Sequence, residues 1–429
     1  MHLAAINIAD ELIPLWRGLF KCDATDDKDN WDWAVLKGAV WKDHGRAVAA
    51  ATKYLPGSFD RPPRNPAEKI NSGYKAWEYL LYLFGLGPVL LYGILPEKYW
   101  IHFCKLVRGI RLMQQHNIRS EELVEAHTML TEFELDFELE YYQRRTDRMH
   151  FMRPWLHGLI HLAPETITKG PPICSSQWTM ERTIGNLGQE IRSHSQPYAN
   201  LSQRGVRRAQ VNALKVLIPA LDPPDNLLPR GAIDLGGGFV LLNRKERTPN
   251  VMRQCEVAAT LAYIQTQGII IPAEMCPKIT RWARLRLPNG QIARSAWKEQ
   301  SMTRQPRMSR NVKMRLNGFQ AFGEVYFYFQ IQLNQELKTL ALVSMYSPPD
   351  MAILKASSQT LYSCVHRGDG DLVLVEANTI ESVVAMIPHK LPGSAEDRFF
   401  LVEKPGLDVV RMGGAGEDGM QGDDDDEAN

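Results

Sequence analysis

One carboxylate set among arginines is the first feature of this sequence that could do chemistry. Glu181 lies in the run Ser175-Ser-Gln-Trp-Thr-Met-Glu181-Arg-Thr-Ile-Gly-Asn-Leu-Gly-Gln-Glu190-Ile-Arg192, which is followed by Pro197-Tyr-Ala-Asn-Leu-Ser-Gln-Arg-Gly205-Val-Arg-Arg-Ala-Gln210. Arg182, Arg192, Arg204, Arg207 and Arg208 surround it in sequence. Metal-dependent chemistry on a phosphodiester needs hard oxygen ligands for the cation and positive charge for the substrate, and this stretch supplies both types. Glu181 is therefore the candidate catalytic and metal-ligating residue, and the arginines are candidate nucleic-acid contacts. A capped amphipathic helix with a structural salt bridge from Glu181 to an arginine explains the same residues, and a short motif does not separate the two.

The element that must position Glu181 is a helix. Met180, Ile184, Leu187 and Ile191 recur at steps of four, three and four, which is helical spacing. Glu181, Gly185 and Gly188 share a neighbouring face, where the glycines would allow something large to approach. The basic run continues as a helix through residues 197–220, with Val206, Ala209, Val211, Leu214 and Leu217 against Arg204, Arg207, Arg208 and Lys215. Asp222-Pro-Pro-Asp then breaks the chain.

A second stretch with chemical potential is residues 278–315. Lys278, Arg281, Arg284, Arg286, Arg294, Lys298, Arg304, Arg307, Arg310, Lys313 and Arg315 make eleven cations against the single acid Glu299, with Trp282 and Trp297 among them. Such an island would neutralise phosphates and its indoles could stack on unpaired bases; a basic linker or an import signal is the plainer reading. Other clusters carry less. Asp23, Asp26, Asp27 and Asp29 lack the glycine and terminal glutamate of a calcium loop, so they read as a solvated helix entry in which Asp26 or Asp27 caps a helix from Trp31. His157 and His161 stand one helical turn apart, with His150 nearby, but no third ligand follows at a recognisable spacing. The glycines of Gly231-Ala-Ile-Asp-Leu-Gly-Gly-Gly-Phe-Val-Leu-Leu lack the partners of a phosphate loop and read as a loop before a strand.

Helical spacing dominates residues 31–150. Leu123, Ala126, Leu130, Phe133, Phe137 and Tyr141 fall at steps of three and four behind a Ser120-Glu-Glu-Leu start, and Pro96 starts another helix. Residues 77–95 are apolar enough to suggest a membrane span, but Glu78, Gly85, Gly87, Pro88 and Gly93 make them two buried helices broken at Gly-Leu-Gly-Pro. The loop at 54–67 holds Arg61 and Arg64 among prolines. Between 318 and 390 the chain changes to five β-rich runs that suggest a small barrel or sandwich. From 411 it is glycine and acid, ending Asp423-Asp-Asp-Asp-Glu427, a composition of disorder that could mask a basic stretch.

The 429 residues allow two or three domains, and 50 basic against 49 acidic side chains give no overall preference for a partner. Six widely spaced cysteines without a Cys-x-x-Cys pair argue against a zinc ribbon or disulfide framework and for a reducing compartment. No secretory signal or small-molecule motif is evident.

The block from His157-Gly-Leu-Ile-His161-Leu through Gly170-Pro-Pro, Gln177-Trp-Thr-Met-Glu181-Arg and Ala199-Asn-Leu-Ser-Gln-Arg-Gly resembles the C-terminal half of CACTA-type (En/Spm-like) transposases of the kind found in mushroom-forming fungi. Met1-His2-Leu3, Trp31-Asp-Trp-Ala-Val-Leu and the segment Tyr54-Leu-Pro-Gly to Trp77 are similar to the same group, so the resemblance covers most of residues 1–221 and, loosely, 318–390. It implies an ancestral mechanism in which two Asp and one Glu hold two Mg²⁺ or Mn²⁺ ions for DNA strand cleavage and transfer. Glu181 matches the third carboxylate. The Asp that stands just before a Met-His pair in the family has no counterpart here, because the chain begins at Met1.

The expected architecture is α+β. Residues 1–221 would be the C-terminal part of an RNase H-like domain with an all-helical insertion at about 31–150. A linker at 222–317 would carry the basic stretch, a small β-domain would span 318–390, and a disordered acidic tail 391–429. The expected function is a transposase-derived, nuclear, DNA-binding protein, compatible with a homo-oligomer, without membrane association and inactive as a nuclease by itself. The metals of the ancestral enzyme would not be stably held. A non-catalytic chromatin-binding module, or a decayed element without a role, is the alternative.

Overall fold

Up to residue 221 the chain buries its apolar side chains through helices, and beyond 232 through antiparallel strands, so the architecture is α+β as expected. The structure, a computed structural model, describes residues 2–191, 193, 195–221, 228–269, 277–303, 306–391 and 395–407. Met1, Arg192, Arg304, the Asp222-Pro-Pro-Asp break and the acidic tail from 411 lie outside the described residues. No described helix is long and apolar enough to cross a membrane.

The helical body is built on the Glu97–Met113 and Ser120–Phe137 helices, packed on each other, with Trp16 at the end of Ala9–Trp16 set edge-on against Phe103. Ala126, Leu130, Phe133, Phe137 and Tyr141 are fully buried, as their spacing requires. Trp31, in contrast, does not begin a helix. Residues 31–37 are turns and the helix is Gly38–Ala50. The reason is tertiary. The buried Asp26 carboxylate accepts the Trp31 indole N–H at 3.0 Å and the Arg148 guanidinium at 2.7 and 2.8 Å, while Arg148 lies over the Trp33 ring. These contacts draw both indoles inward and override local helical preference, while Asp27 caps only the short turn Lys28–Asn30.

The apolar run from Trp77 stays helical but changes pitch rather than breaking. A π-turn, Leu81–Leu86, joins Ala76–Leu80 to Gly87–Leu90. Pro88 has no N–H for the carbonyl of Phe84 four residues back. Arg111 supplies the missing donors, its Nε reaching Phe84 O at 2.7 Å and one Nη reaching Gly85 O at 3.2 Å, while the other Nη reaches Thr360 O at 3.0 Å. Burial pulls the Arg111 pKa down to about 10, which still leaves it charged.

The strands are β1 (Ile233–Gly236), β2 (Phe239–Lys245), β3 (Asn250–Val251), β4 (Lys278–Ile279), β5 (Trp282–Arg286), β6 (Ile292–Arg294), β7 (Asn311–Leu316), β8 (Phe319–Leu333), β9 (Glu336–Met345), β10 (Ser363–Cys364), β11 (Leu372–Glu376), β12 (Ile380–Val383), β13 (Ala385–His389) and β14 (Arg398–Val402). Nine form one sheet in the order β1-β2-β5-β8-β7-β12, with β6 on β5 and β11-β9 on β8. One face surrounds Trp282, Leu285, Val312, Tyr328 and Val343; the other carries the Gln254–Thr266 helix. The glycine-rich segment is a hairpin, its turn using positive φ at Gly236, Gly237 and Gly238.

Two expected boundaries are corrected, and with the first of them the linker. The β-region does not begin at 318, because β1 to β7 already belong to it. The stretch 278–315 is therefore not a linker. The tail does not begin at 391 either, since β14 is the middle strand of a small sheet, β10-β14-β13. That sheet joins the two halves. Ala385, Ile387, Phe400 and Val402 enter the helical core, whereas Met386 and Leu401 pack with Phe322, Tyr346 and Cys364 on the opposite face, following the two-residue alternation of a strand.

Candidate nucleic-acid interface

Glu181 sits near the start of the Trp178–Glu190 helix, where residues 181–185 are exposed. This helix packs against the longer Pro197–Leu217 helix, and its base is attached to the body through Trp178, stacked on Trp77 with ring centroids 4.4 Å apart. Pro197 at the first position preorganises the second helix. The result is a hairpin whose second helix buries no residue. A Cβ built at Gly185, Gly188 or Gly205 meets nothing within 4 Å, so the body does not require these glycines.

Of the apolar stripe that predicted the first helix, Met180 and Ile184 are about half exposed, while Leu187 and Ile191 are half-buried. The second helix presents two faces. Arg204, Arg208 and Lys215 fall along one side with Arg207 beside them, while Val206, Ala209, Ala213 and Leu217 fall on the opposite side. Arg208 forms an ion pair with Glu190 of the first helix, and Arg207 is exposed. Twenty-one residues at 1.5 Å each make this helix about 31 Å long, and it contains no acid.

Among the described residues no three metal-ligating side chains converge. Within residues 2–221 no described residue is in a strand, so the sheet of an RNase H-like core does not stand beside Glu181. A single exposed carboxylate does not fit a centre for two divalent cations, which needs several anionic oxygens around the ions.

The second basic stretch is placed very differently from its expectation. Arg281 lies between Glu246 and Glu256 at 3.8 and 3.5 Å, with its guanidinium over Phe327. Arg294 and Arg310 converge on Glu299 at 3.5 and 3.8 Å, and Arg310 also meets Glu324 at 2.6 Å. Burial raises the Glu299 pKa, opposed by Arg294, the Ser309 N–H and Arg310. Lys313 pairs with Glu403 at 2.5 Å and Arg315 with Glu381 at 2.7 Å. Arg284 and Arg286 are half-buried on β5, as is Lys298 in the short Ala296–Gln300 helix; Lys278 is exposed on β4. Apart from Glu299, the acids that answer these cations come from outside the stretch. What reads along the chain as an electropositive island is, in space, a set of ion pairs on a sheet.

Arg307 is a clamp between the halves of the molecule. It donates to the carbonyls of Leu55, Pro56 and Asp60 at 2.8, 2.6 and 3.0 Å, and burial lowers its pKa. Arg307→Ala is expected to lower stability by about 2 kcal/mol in chemical denaturation while leaving DNA affinity unchanged. Arg64 in the proline-rich loop is likewise committed, its Nε and one Nη reaching the buried Glu78 at 2.7 and 2.8 Å.

Sequence reasoning missed that the two helices around Glu181 and Arg207 form a projecting pair. The signal was slight: the apolar side of residues 197–217, with Val206, Ala209, Ala213 and Leu217, holds small and medium side chains and no aromatic anchor for a core. Comparisons with protein-family profiles, with curated proteins and with solved structures gave no match to this chain.

Proposed function

We propose that this chain is a transposase-derived DNA-binding protein that holds duplex DNA through the Pro197–Leu217 helix and does not cleave it unaided. The observation that carries this reading is an acid-free helix that buries no residue, with Arg207 exposed and Arg204, Arg208 and Lys215 half-buried along one side, while many of the cations at 278–315 are paired with carboxylates. A helix about 31 Å long matches roughly one turn of B-DNA, and cations along one of its sides suit phosphate contacts. The resemblance around Glu181 supports descent from an enzyme acting on DNA, with the nucleus as its compartment and possible pairing of copies. Glu181 would be the retained carboxylate of the ancestral centre.

The test is affinity for a labelled duplex across about 50 to 200 mM salt. Replacing both Arg204 and Arg207 by alanine is expected to weaken binding at every sequence and to reduce the slope of log affinity against log salt by about two. An unchanged slope, or loss of binding only on replacing Lys278, Arg286 and Lys298, would move the interface to the sheet. With supercoiled DNA and Mg²⁺ or Mn²⁺ the purified chain is expected to leave the DNA intact. Nicking that disappears in Glu181→Ala would overturn the inactive reading.

A further inference from the structure

We propose that His157 and His161 form a chelating site for a divalent late first-row transition metal of the Zn²⁺, Ni²⁺ or Cu²⁺ class. Both side chains are exposed, and their Nε2 atoms stand 3.0 Å apart. His161 is the junction between the Pro154–Ile160 and Leu162–Lys169 helices, and its helical backbone, φ −85° and ψ −16°, keeps it one turn from His157 on the same face. The opposite face anchors the backbone: Trp155, Leu156 and Leu159 are buried in the helical core. The two imidazoles are thus carried on a fixed frame, with only their own side-chain torsions free.

At 3.0 Å one neutral imidazole donates to the other, and the same spacing is a metal bite. With metal–nitrogen bonds of about 2.1 Å, ligand nitrogens 3.0 Å apart subtend about 90° at the metal, the cis angle of an octahedral or square-planar ion. Opening the pair to about 3.4 Å gives the tetrahedral angle preferred by Zn²⁺, a small torsional change for exposed rings. Two imidazoles select late transition metals over Mg²⁺ and Ca²⁺, which take oxygen ligands. Glu165, one turn further, is held by Lys169 at 2.8 Å, so the remaining positions fall to water or to a group brought by a partner. A bound ion would tie the last turn of one helix to the residue that starts the next. That junction leads through Gly170 towards the Trp178–Glu190 helix, so occupancy would stiffen the approach to the hairpin.

The experiment uses the full chain, untagged and stripped with chelator, titrated calorimetrically with Ni²⁺, with Zn²⁺ and with Mg²⁺. One equivalent of Ni²⁺ or Zn²⁺ and no saturable Mg²⁺ binding are expected. His157→Ala and His161→Ala should each weaken binding at least ~10-fold, and His127→Ala, on another helix, should leave it unchanged. Because a variant could lose affinity through altered folding, the wild-type chain is also modified with diethyl pyrocarbonate, and Ni²⁺ is expected to protect residues 157 and 161 together. Wild-type affinity in either alanine variant, binding lost only in Cys174→Ser, or undiminished modification of both histidines in saturating Ni²⁺ would each overturn the proposal.

Discussion

Asp26→Ala is expected to destabilise the fold by about 3–5 kcal/mol, measured as the loss of unfolding free energy in urea. Both partners of the ion pair with Arg148 are out of solvent, with side-chain exposures of 0% for Asp26 and 2% for Arg148. Removing the carboxylate leaves a guanidinium buried against Trp33 and Phe151 without its counter-charge, and it also removes the acceptor of the Trp31 indole. The large term is the uncompensated charge, not the net value of the pair. Burial opposes ionisation of Asp26, but the hydrogen bonds and charge of Arg148, the Trp31 N–H and Arg145 outweigh it and hold the pKa below the usual carboxylate value. The sign follows: a depressed native pKa gives stability that is present above the unfolded value near 3.8 and lost as the pH falls through the native one. Asp26→Ala should therefore lie closest to the wild type in strong acid, where neither chain carries that charge. A denaturation midpoint unchanged at neutral pH would refute this account.

The second large effect has the opposite pH sense. Glu11 is buried with one oxygen accepting the Trp155 indole N–H and the other without a hydrogen-bond partner. Burial pushes its pKa up to about 8, against the hydrogen bond from Trp155 and the charge of Arg153. A raised native pKa gives stability that is fully present below the unfolded value near 4.5 and lost as the pH rises through 8. The difference amounts to an order of 5 kcal/mol across that window. Glu11→Gln removes the titration. It is expected to be the less stable chain near pH 5, where its amide lacks a second partner, and the more stable one above pH 8. Urea midpoints at several pH values test this; parallel curves for the two chains would show that Glu11 does not govern the slope.

The sequence made the helical body legible wherever burial is one-sided. Leu130, Phe133 and Phe137 alternate with acids that stay on the outer faces, so local period and tertiary burial agree. The strongly apolar runs that became β8, β9 and β11 were legible for the same reason. Local reading failed where a distant partner decides the conformation. Trp31 sits in a turn because Arg148, more than a hundred residues away, fixes Asp26 beside it. The helix near Pro88 continues because Arg111 replaces a missing donor. Charge counting along residues 278–315 found eleven cations and one acid, yet Glu246, Glu256, Glu324, Glu381 and Glu403 reach them across the sheet. The strand β5 itself was readable in retrospect, since Arg284 and Arg286 alternate with the buried Ala283 and Leu285.

The candidate site was half legible. Periodicity placed Glu181 and Arg207 on successive helices, as the structure has them. It could not say that these helices would turn their apolar residues away from the body, because period reports a face and not what lies opposite. The carboxylate and the arginines are neighbours along the chain, and the ion pair described between the two helices joins Arg208 to Glu190 rather than to Glu181.

The position of β14 has a consequence for how the polypeptide is made. Its residues, Arg398–Val402, fill the gap between β10 and β13 and contribute Phe400 and Val402 to the helical core. During synthesis the earlier helices emerge long before that strand exists, so Ile387 and the neighbouring apolar groups must wait with their partner absent. Such a wait favours chaperone holding and late, post-translational closure, and a ribosome stalled before residue 398 would present a nascent chain with an open, sticky edge.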